Sequence, residues 1–361
     1  MGVPATRRQV LDLRVHAQQL GRASGGLADT AVLDLGVQDT GPDGGLWALA
    51  LRGVSSPRDD ELATVWTIRG APHLYRRADL PGVAAATAPF SDADAGKRIF
   101  DAAKPLKAAG IANLEGLDVV AATMRSVVTA PMVKGEMSGR LTEVLPAPYL
   151  RFCRPCDATH VHEMPFRLAA LRAGLELEPG TSPPVLRPVP GLTPADSVPP
   201  HLDVVRGYLR LLGPATPKLV AGYLDAPVRD VQARWPEDAV EVTVDGERRW
   251  LLAEDAARLD EVPPAAGVSL LGPFDLFLQA RDRPLLVDDP VRAKALWPVL
   301  GRPGAVLADG EVAGTWRPRK AGSSLTVAVE LWVPVPQEAV REAAERLAAF
   351  RGVLLKDVHI D

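Results

Sequence analysis

Two periods of hydrophobic residues alternate along this chain. Segments with apolar side chains three and four residues apart, the spacing of one helix face, give way to short runs in which every second residue is apolar, the spacing of a strand. The helical pattern first covers 7–21, 28–35 and 46–54, followed by β-prone runs at 63–69 and 73–77 around a Gly70-Ala71-Pro72 turn. It returns at 93–109, 114–124 and 134–144, followed by β-prone runs at 149–153 and 159–162. It returns again at 201–212, 217–224 and 228–234, before runs at 240–244 and 247–251 joined by Asp245-Gly246. Asp-Gly between alternating runs is the strongest short-range hairpin signal.

Helices followed by a hairpin also occur in many α+β domains. Three such groups in series, with little else between them, predict tandem winged helix-turn-helix modules, which present a helix to the DNA groove and a hairpin to the backbone. The expected fold class is therefore α+β: three tandem winged helix-turn-helix modules followed by a small β-rich C-terminal domain. The boundaries read as winged helices at 1–90, 91–178 and 199–262, a stiff Pro-rich linker at 179–198, and the β-rich part at 263–361. That last part shows β-prone runs at 268–280, 305–308, 311–317, 324–333 and 353–360, and a helical pattern at 337–350. It predicts a barrel-like or curved sheet.

Composition changes this picture little. Of 361 residues, 47% are hydrophobic, enough for real cores. No run reaches the ~18 apolar residues of a membrane span. No apolar stretch follows Arg7-Arg8, so no secretory leader is expected, and two cysteines provide no disulfide framework. A cytoplasmic protein with no membrane association is the expectation, and a monomer, since no dimerisation heptad is evident.

Charge matters more. A formal net charge of −4 does not hold a protein on DNA by bulk electrostatics, so any DNA-binding face must come from local clusters. The first hairpin offers Arg69, His73, Arg76 and Arg77. The second module offers Lys134, Arg140, Arg151 and Arg154, and the third hairpin has Arg248 and Arg249. Arg317, Arg319 and Lys320 fall in an expected turn after Trp316. Taken singly, each is an ordinary solvated cation. Their recurrence beside hairpins points to phosphates, which Arg meets bidentately.

Walker, nucleophile-elbow and zincin motifs are absent. Cys153, Cys156, His160 and His162 are four zinc-competent residues within ten positions. Closed zinc sites usually join two ligand pairs across a longer loop, so no metal is expected. The cysteines would then fill gaps at the hairpin base and the histidines face solvent or phosphate. Gln38-Asp39, ahead of the Gly-rich turn 41–45, joins an amide that can orient water to a carboxylate that can take its proton. A Gln-Asp pair beside a helix end is also ordinary capping chemistry.

Several segments together resemble one family. These are Gln38-Asp39, Trp66-Thr-Ile-Arg-Gly-Ala-Pro-His-Leu74, Cys153-Arg-Pro-Cys-Asp-Ala-Thr-His160, Leu271-Gly-Pro-Phe-Asp-Leu-Phe-Leu278 and Asp309-Gly-Glu-Val-Ala-Gly-Thr-Trp-Arg317. In this order they are similar to the tandem winged-helix DNA glycosylases of the azinomycin-resistance type. The resemblance implies three winged helices around duplex DNA, excision of alkylated purines, in some members removal of bulky adducts or crosslinks, and no cofactor. It implies a catalytic element of Gln, an apolar residue, then Gln or Asp. Aligned on Gln38, the apolar residue is Val37 and the first Gln falls on Gly36, which has no side chain. The expected catalytic residues are Gln38, positioning water, and Asp39, as base or charge stabiliser. A non-catalytic winged-helix DNA-binding protein or regulator, or a protein that sequesters a small genotoxic ligand, stays open at this point.

Overall fold

The structure, a computed structural model, describes residues 2–41 and 44–361, without the side chain of Lys320. It is an α+β protein of two compact units. Unit 1 comprises Met1–Ser56, Arg206–Leu219 and Pro236–Asp361; unit 2 comprises Pro57–Val205 and Val220–Trp235. The chain visits each unit more than once, whereas the expected modules are consecutive stretches. The units are defined by packing, the modules by contiguity along the chain.

Unit 1 opens with the helix Arg7–Ala17, set by a capping box: Thr6 Oγ1 accepts from Gln9 N–H, and Gln9 Oε1 accepts from Thr6 N–H. The predicted 28–35 helix shrinks to Val32–Leu35, and the next helix is Gly44–Ala50. The Asp245-Gly246 hairpin forms as predicted, Ala239–Val244 against Glu247–Leu252, with both turn residues at positive φ. Val3–Ala5 adds a parallel strand to it. Beyond it lies a 5-stranded sheet in the order Val268–Leu271, Gly304–Ala308, Glu311–Ala321, Ser324–Leu331 and Leu354–Ile360. Its last pair is parallel, reached through the helix Gln337–Phe350, which packs on the sheet. The sheet has two edges and is open, curved rather than barrel-like; a register shift at Val306/Leu307 bends it. Arg317, Arg319 and Lys320 lie in the strand Glu311–Ala321, not in a turn. Pairing runs on to Ala321↔Ser324, so the chain reverses only there.

In unit 2 the strands run in the order Pro72–Arg76, Leu62–Trp66, Leu175–Leu177, Val185–Pro188 and Met132–Val133. The 179–198 segment is therefore more than a linker. Its Val185–Pro188 pairs with strands on both sides, and Leu186 is fully buried. The predicted 93–109 helix is two, Asp92–Arg98 and Ala103–Ala108, broken where Ile99 and Ala102 turn into the core. Asn113–Val127 packs against Asp92–Arg98, Lys134–Val144 and Glu163–Arg172. Their shared core includes Leu117, Val120, Met124, Met137, Leu141 and Phe166. Leu150–Cys153 and Ala158–Val161 form a separate 2-stranded hairpin. Among the described residues no helix is long and apolar enough to cross a membrane.

Candidate active site

Gly36 ends the short helix with φ 89 and ψ 137, a conformation that glycine holds without strain and side-chain-bearing residues do not. That bend sends Val37 into the core and leaves Gln38 half-buried. Gln38 lines a cavity of about 620 Å³ within unit 1. Trp47, Phe274 and Trp316 form its aromatic walls; Arg302, Arg317 and Arg351 supply cations. Both indoles are fixed, since Trp47 Nε1 donates to Leu270 O and Trp316 Nε1 to Leu271 O, each at 2.8 Å. Gly304 allows the latter, because a Cβ there would lie 2.2 Å from Trp316 Nε1.

The Gln38 amide is oriented from both ends. Its Nε2 donates to Thr40 Oγ1 at 3.0 Å, and its Oε1 accepts from Gln279 Nε2 at 3.2 Å. These bonds use one N–H and one lone pair, leaving one of each for water or substrate. Gln279 ends the turn Leu276–Gln279, started by Asp275, which is anchored by a fully buried bidentate ion pair to Arg52 at 2.9 Å. Sequence reasoning missed Gln279, although it directly follows the family-like Leu271–Leu278 segment.

Asp39 holds the start of the next helix. Its Oδ1 accepts the Gly45 N–H at 2.9 Å at the start of the helix Gly44–Ala50, and it is not among the cavity-lining residues. Burial pushes its carboxyl pKa up, against the opposing pull of that hydrogen bond. That bond is the capping chemistry open to a Gln-Asp pair, and it engages one of the two carboxylate oxygens. Pro42 and Asp43 of the neighbouring Gly-rich turn lie outside the described residues.

Beside the cavity lies a cationic group the sequence reading also missed. Burial and then neighbouring arginines depress the Arg283 and Arg302 guanidinium pKa values, Arg302 and Arg281 acting on Arg283 and Arg281 acting on Arg302. Arg302 sits over Phe274 and Arg283 over Trp297. Arg317 and Arg319 are exposed, two apart on one strand and so on one face. The Lys320 side chain lies outside what is described. Arg249, in contrast, is buried against Asp282, together with Arg14. Burial would raise the Asp282 carboxyl, but Arg14 and Arg249 hold it below the usual range.

The first-hairpin residues fall in unit 2 and are largely consumed by its own structure. His73 is 1% exposed, its Nδ1 2.9 Å from Ala71 O and 3.1 Å from Thr67 Oγ1. Burial pushes its pKa down to about 3, with the Ala71 hydrogen bond opposing and Arg69 assisting. A neutral ring sealed from solvent meets no phosphate, and His73 is withdrawn from the DNA contacts. Arg77 pairs with the buried Glu176 at 3.0 Å, Arg76 with Asp79 at 3.1 Å, and Arg69 donates to Tyr223 O at 2.8 Å. Arg76 and Arg77 thus answer carboxylates inside the unit, and Arg69 a backbone carbonyl. Lys134 pairs with Glu163 and the exposed Arg140 with Glu136. Arg151 and Arg154 are exposed, with no ion pair among the described residues. His162 is buried rather than solvent-facing, its ring nitrogens lacking hydrogen-bond partners, with Asp101 at 4.0 Å. Cys153, Cys156 and His160 come together at the end of the second hairpin.

The family model described as DNA glycosylase AlkZ-like matches residues 35–350, a span that includes Gln38, Gln279 and every residue lining the cavity except Arg351. The chain belongs to the AlkZ-like DNA glycosylase family. Among solved structures, the DNA glycosylase AlkZ of Streptomyces sahachiroi matches with a TM-score of 0.73 at 22% identity, covering 99% of this chain and 100% of that one. That likeness shows a shared fold. Comparison with curated proteins returns no match. As a member of the AlkZ-like family the chain is a DNA glycosylase by class, and DNA is its implied partner.

Proposed function

We propose that this chain hydrolyses the N-glycosidic bond of alkylated purines, N7-alkylguanine foremost, in duplex DNA, with Gln38 positioning the water. The observation carrying this reading is the Gln38 amide, oriented by Thr40 and Gln279 at an aromatic-lined cavity with one donor and one acceptor left over. Alkylation at N7 makes guanine a cationic leaving group, so its departure needs no protonation. What remains is to place water at the anomeric carbon of an oxocarbenium-like sugar, a task within reach of one fixed amide. A cationic base gains nothing from guanidinium groups, so Arg281, Arg283, Arg302 and Arg317 are assigned to phosphates.

The three winged helices and the boundaries 1–90, 91–178, 199–262 and 263–361 belong to the same proposal. Helices followed by the hairpins 62–76, 150–161 and 239–252 support it. Gly36 stands where the resemblance places a first Gln, and its φ of 89 makes this a backbone difference as well as a side-chain one. In our reading Gln279 supplies the second amide from another segment.

The test is single-turnover excision from a duplex bearing N7-methylguanine. Gln38→Ala is expected to lower the rate roughly 10²-fold or more, with DNA affinity nearly unchanged. Gln279→Ala is expected to produce a smaller loss in the same assay. A wild-type protein that binds this duplex and never leaves an abasic site would instead support the non-catalytic reading, for which the glycine at position 36 is the specific observation.

A further inference from the structure

We propose that Cys153, Cys156 and His160, at the end of the second hairpin, form a binding site for one zinc-class divalent metal ion that staples the hairpin and keeps a fourth position open to water. Closed zinc sites usually take two ligand pairs from segments a longer loop apart. Here the hairpin brings the second arm back within four residues of Cys156. Arg154–Cys156 forms a 3-10 turn with Pro155 inside it, and Asp157 in the left-handed region (φ 49, ψ 39) sends the chain back into Ala158–Val161. Cys153 pairs with Ala158 and Arg151 with His160. The Cys153 and His160 side chains therefore lie on one face as diagonal neighbours. Ligand atoms of the three residues all lie within 4.8 Å of one another. Tetrahedral ligation with metal–sulfur bonds of ~2.3 Å places donors about 3.7 Å apart, so side-chain rotation closes the difference.

One further feature fits a metal. His160 Nδ1 is engaged with Val161 O at 2.9 Å, which fixes the tautomer and leaves the ligating lone pair on Nε2, as ligating histidines generally require. The hairpin also has something to gain. Its base is held, with Ala158–Val161 packed on Lys134–Val144 and Val161 in the core, but its far end has Phe152 60% exposed. A metal would fix the strand that carries Arg151 and the turn that carries Arg154.

The chain has only two cysteines, so any thiolate–metal signal comes from this site. Reduced, chelator-stripped full-length protein is titrated with Co²⁺. Near-ultraviolet thiolate-to-cobalt absorption is expected to saturate at one ion per chain and to vanish when Zn²⁺ is added in excess. Cys153→Ala and Cys156→Ala should each abolish the saturable band, and His160→Ala should weaken binding by about 10-fold or more. Should a variant fail to fold, the wild-type protein decides alone: Zn²⁺ must slow the reaction of both thiols with a disulfide reagent. No thiolate–cobalt band in folded wild-type protein, thiols indifferent to Zn²⁺, or a band that survives in a folded Cys153→Ala protein would each overturn the proposal.

Discussion

The hairpins 62–76 and 150–161 carry the same sequence signature, β-prone runs with arginines close to the turn, yet they are different objects. In the first, Leu62–Trp66 is buried at every position and flanked by Pro72–Arg76 and Leu175–Leu177. Its arginines answer internal acceptors: Glu176 and Leu62 O for Arg77, Asp79 for Arg76. In the second, two strands pair only with each other, and Arg151, Phe152 and Arg154 are exposed. Periodicity identifies a hairpin; the polarity of both its faces decides whether its arginines are taken up inside the unit or left to solvent. Leu62-Ala-Thr-Val-Trp66 lacks any charged residue, and Arg151, Arg154 and Asp157 crowd the other hairpin.

The largest expected consequence of that contrast concerns acid. His73 is neutral in the fold, with a pKa of about 3 against 6.5 when unfolded. As pH falls below 6.5 the unfolded chain takes up the proton first, so stability is lost progressively from there down to about 3. At pH 4.5 this amounts to about 3 kcal/mol. Urea denaturation of His73→Gln should show lower stability at neutral pH and a shallower loss between pH 6.5 and 4.5. Equal slopes for the two proteins would mean that His73 is not sealed.

A smaller effect is expected for the ion pairs of the first hairpin. Glu176 is 4% exposed and holds both Arg77 and Arg187, at 3.0 and 2.9 Å. Removing one partner of a buried pair strands the others, but both arginines keep about a third of their surface in water, which tempers the cost. Glu176→Gln should destabilise by roughly 2 kcal/mol in urea unfolding and leave DNA affinity within twofold of the parent. A large loss of affinity at unchanged stability would return Arg77 to the DNA-binding face.

Much of the fold was legible because local periodicity made it so. Arg7–Ala17, Asn113–Val127, Lys134–Val144 and Gln337–Phe350 all lie within a few residues of their predicted places, as does the Asp245-Gly246 hairpin. What escaped was what distant segments decide. The 179–198 segment read as a linker because prolines dominate it, but Leu186 is taken up by a sheet whose other strands lie elsewhere in the sequence. At the candidate site, Gln38 was visible from its neighbours in sequence. Gln279 was not, because it is 241 residues away and its role exists only through the bond to Gln38 Oε1. Asp39 is the converse case: a carboxylate beside a glutamine suggested chemistry, and the Gly45 N–H claimed it first.

The second hairpin yields the smallest effect and the sharpest discrimination. Arg151 and Arg154 have no ion pair to lose among the described residues, and both are exposed, Arg151 in the strand Leu150–Cys153 and Arg154 in the turn after it. Replacing both with Ala should therefore change urea stability by no more than about 0.5 kcal/mol. If they meet phosphates, affinity for duplex DNA should fall about tenfold at low salt, for every sequence alike, and the slope of log affinity against log salt should drop by up to about 2. Glu176→Gln, on the strand beside the first hairpin, should do the reverse, losing stability and keeping the slope. A double variant that binds with the parental slope would remove the second hairpin from the DNA backbone. Contact with the backbone would then rest on Arg281, Arg283, Arg302 and Arg317 near the Gln38 cavity. Arg302→Ala would in that case carry the loss of slope, and the winged-helix reading of the second module would fall with Arg151 and Arg154.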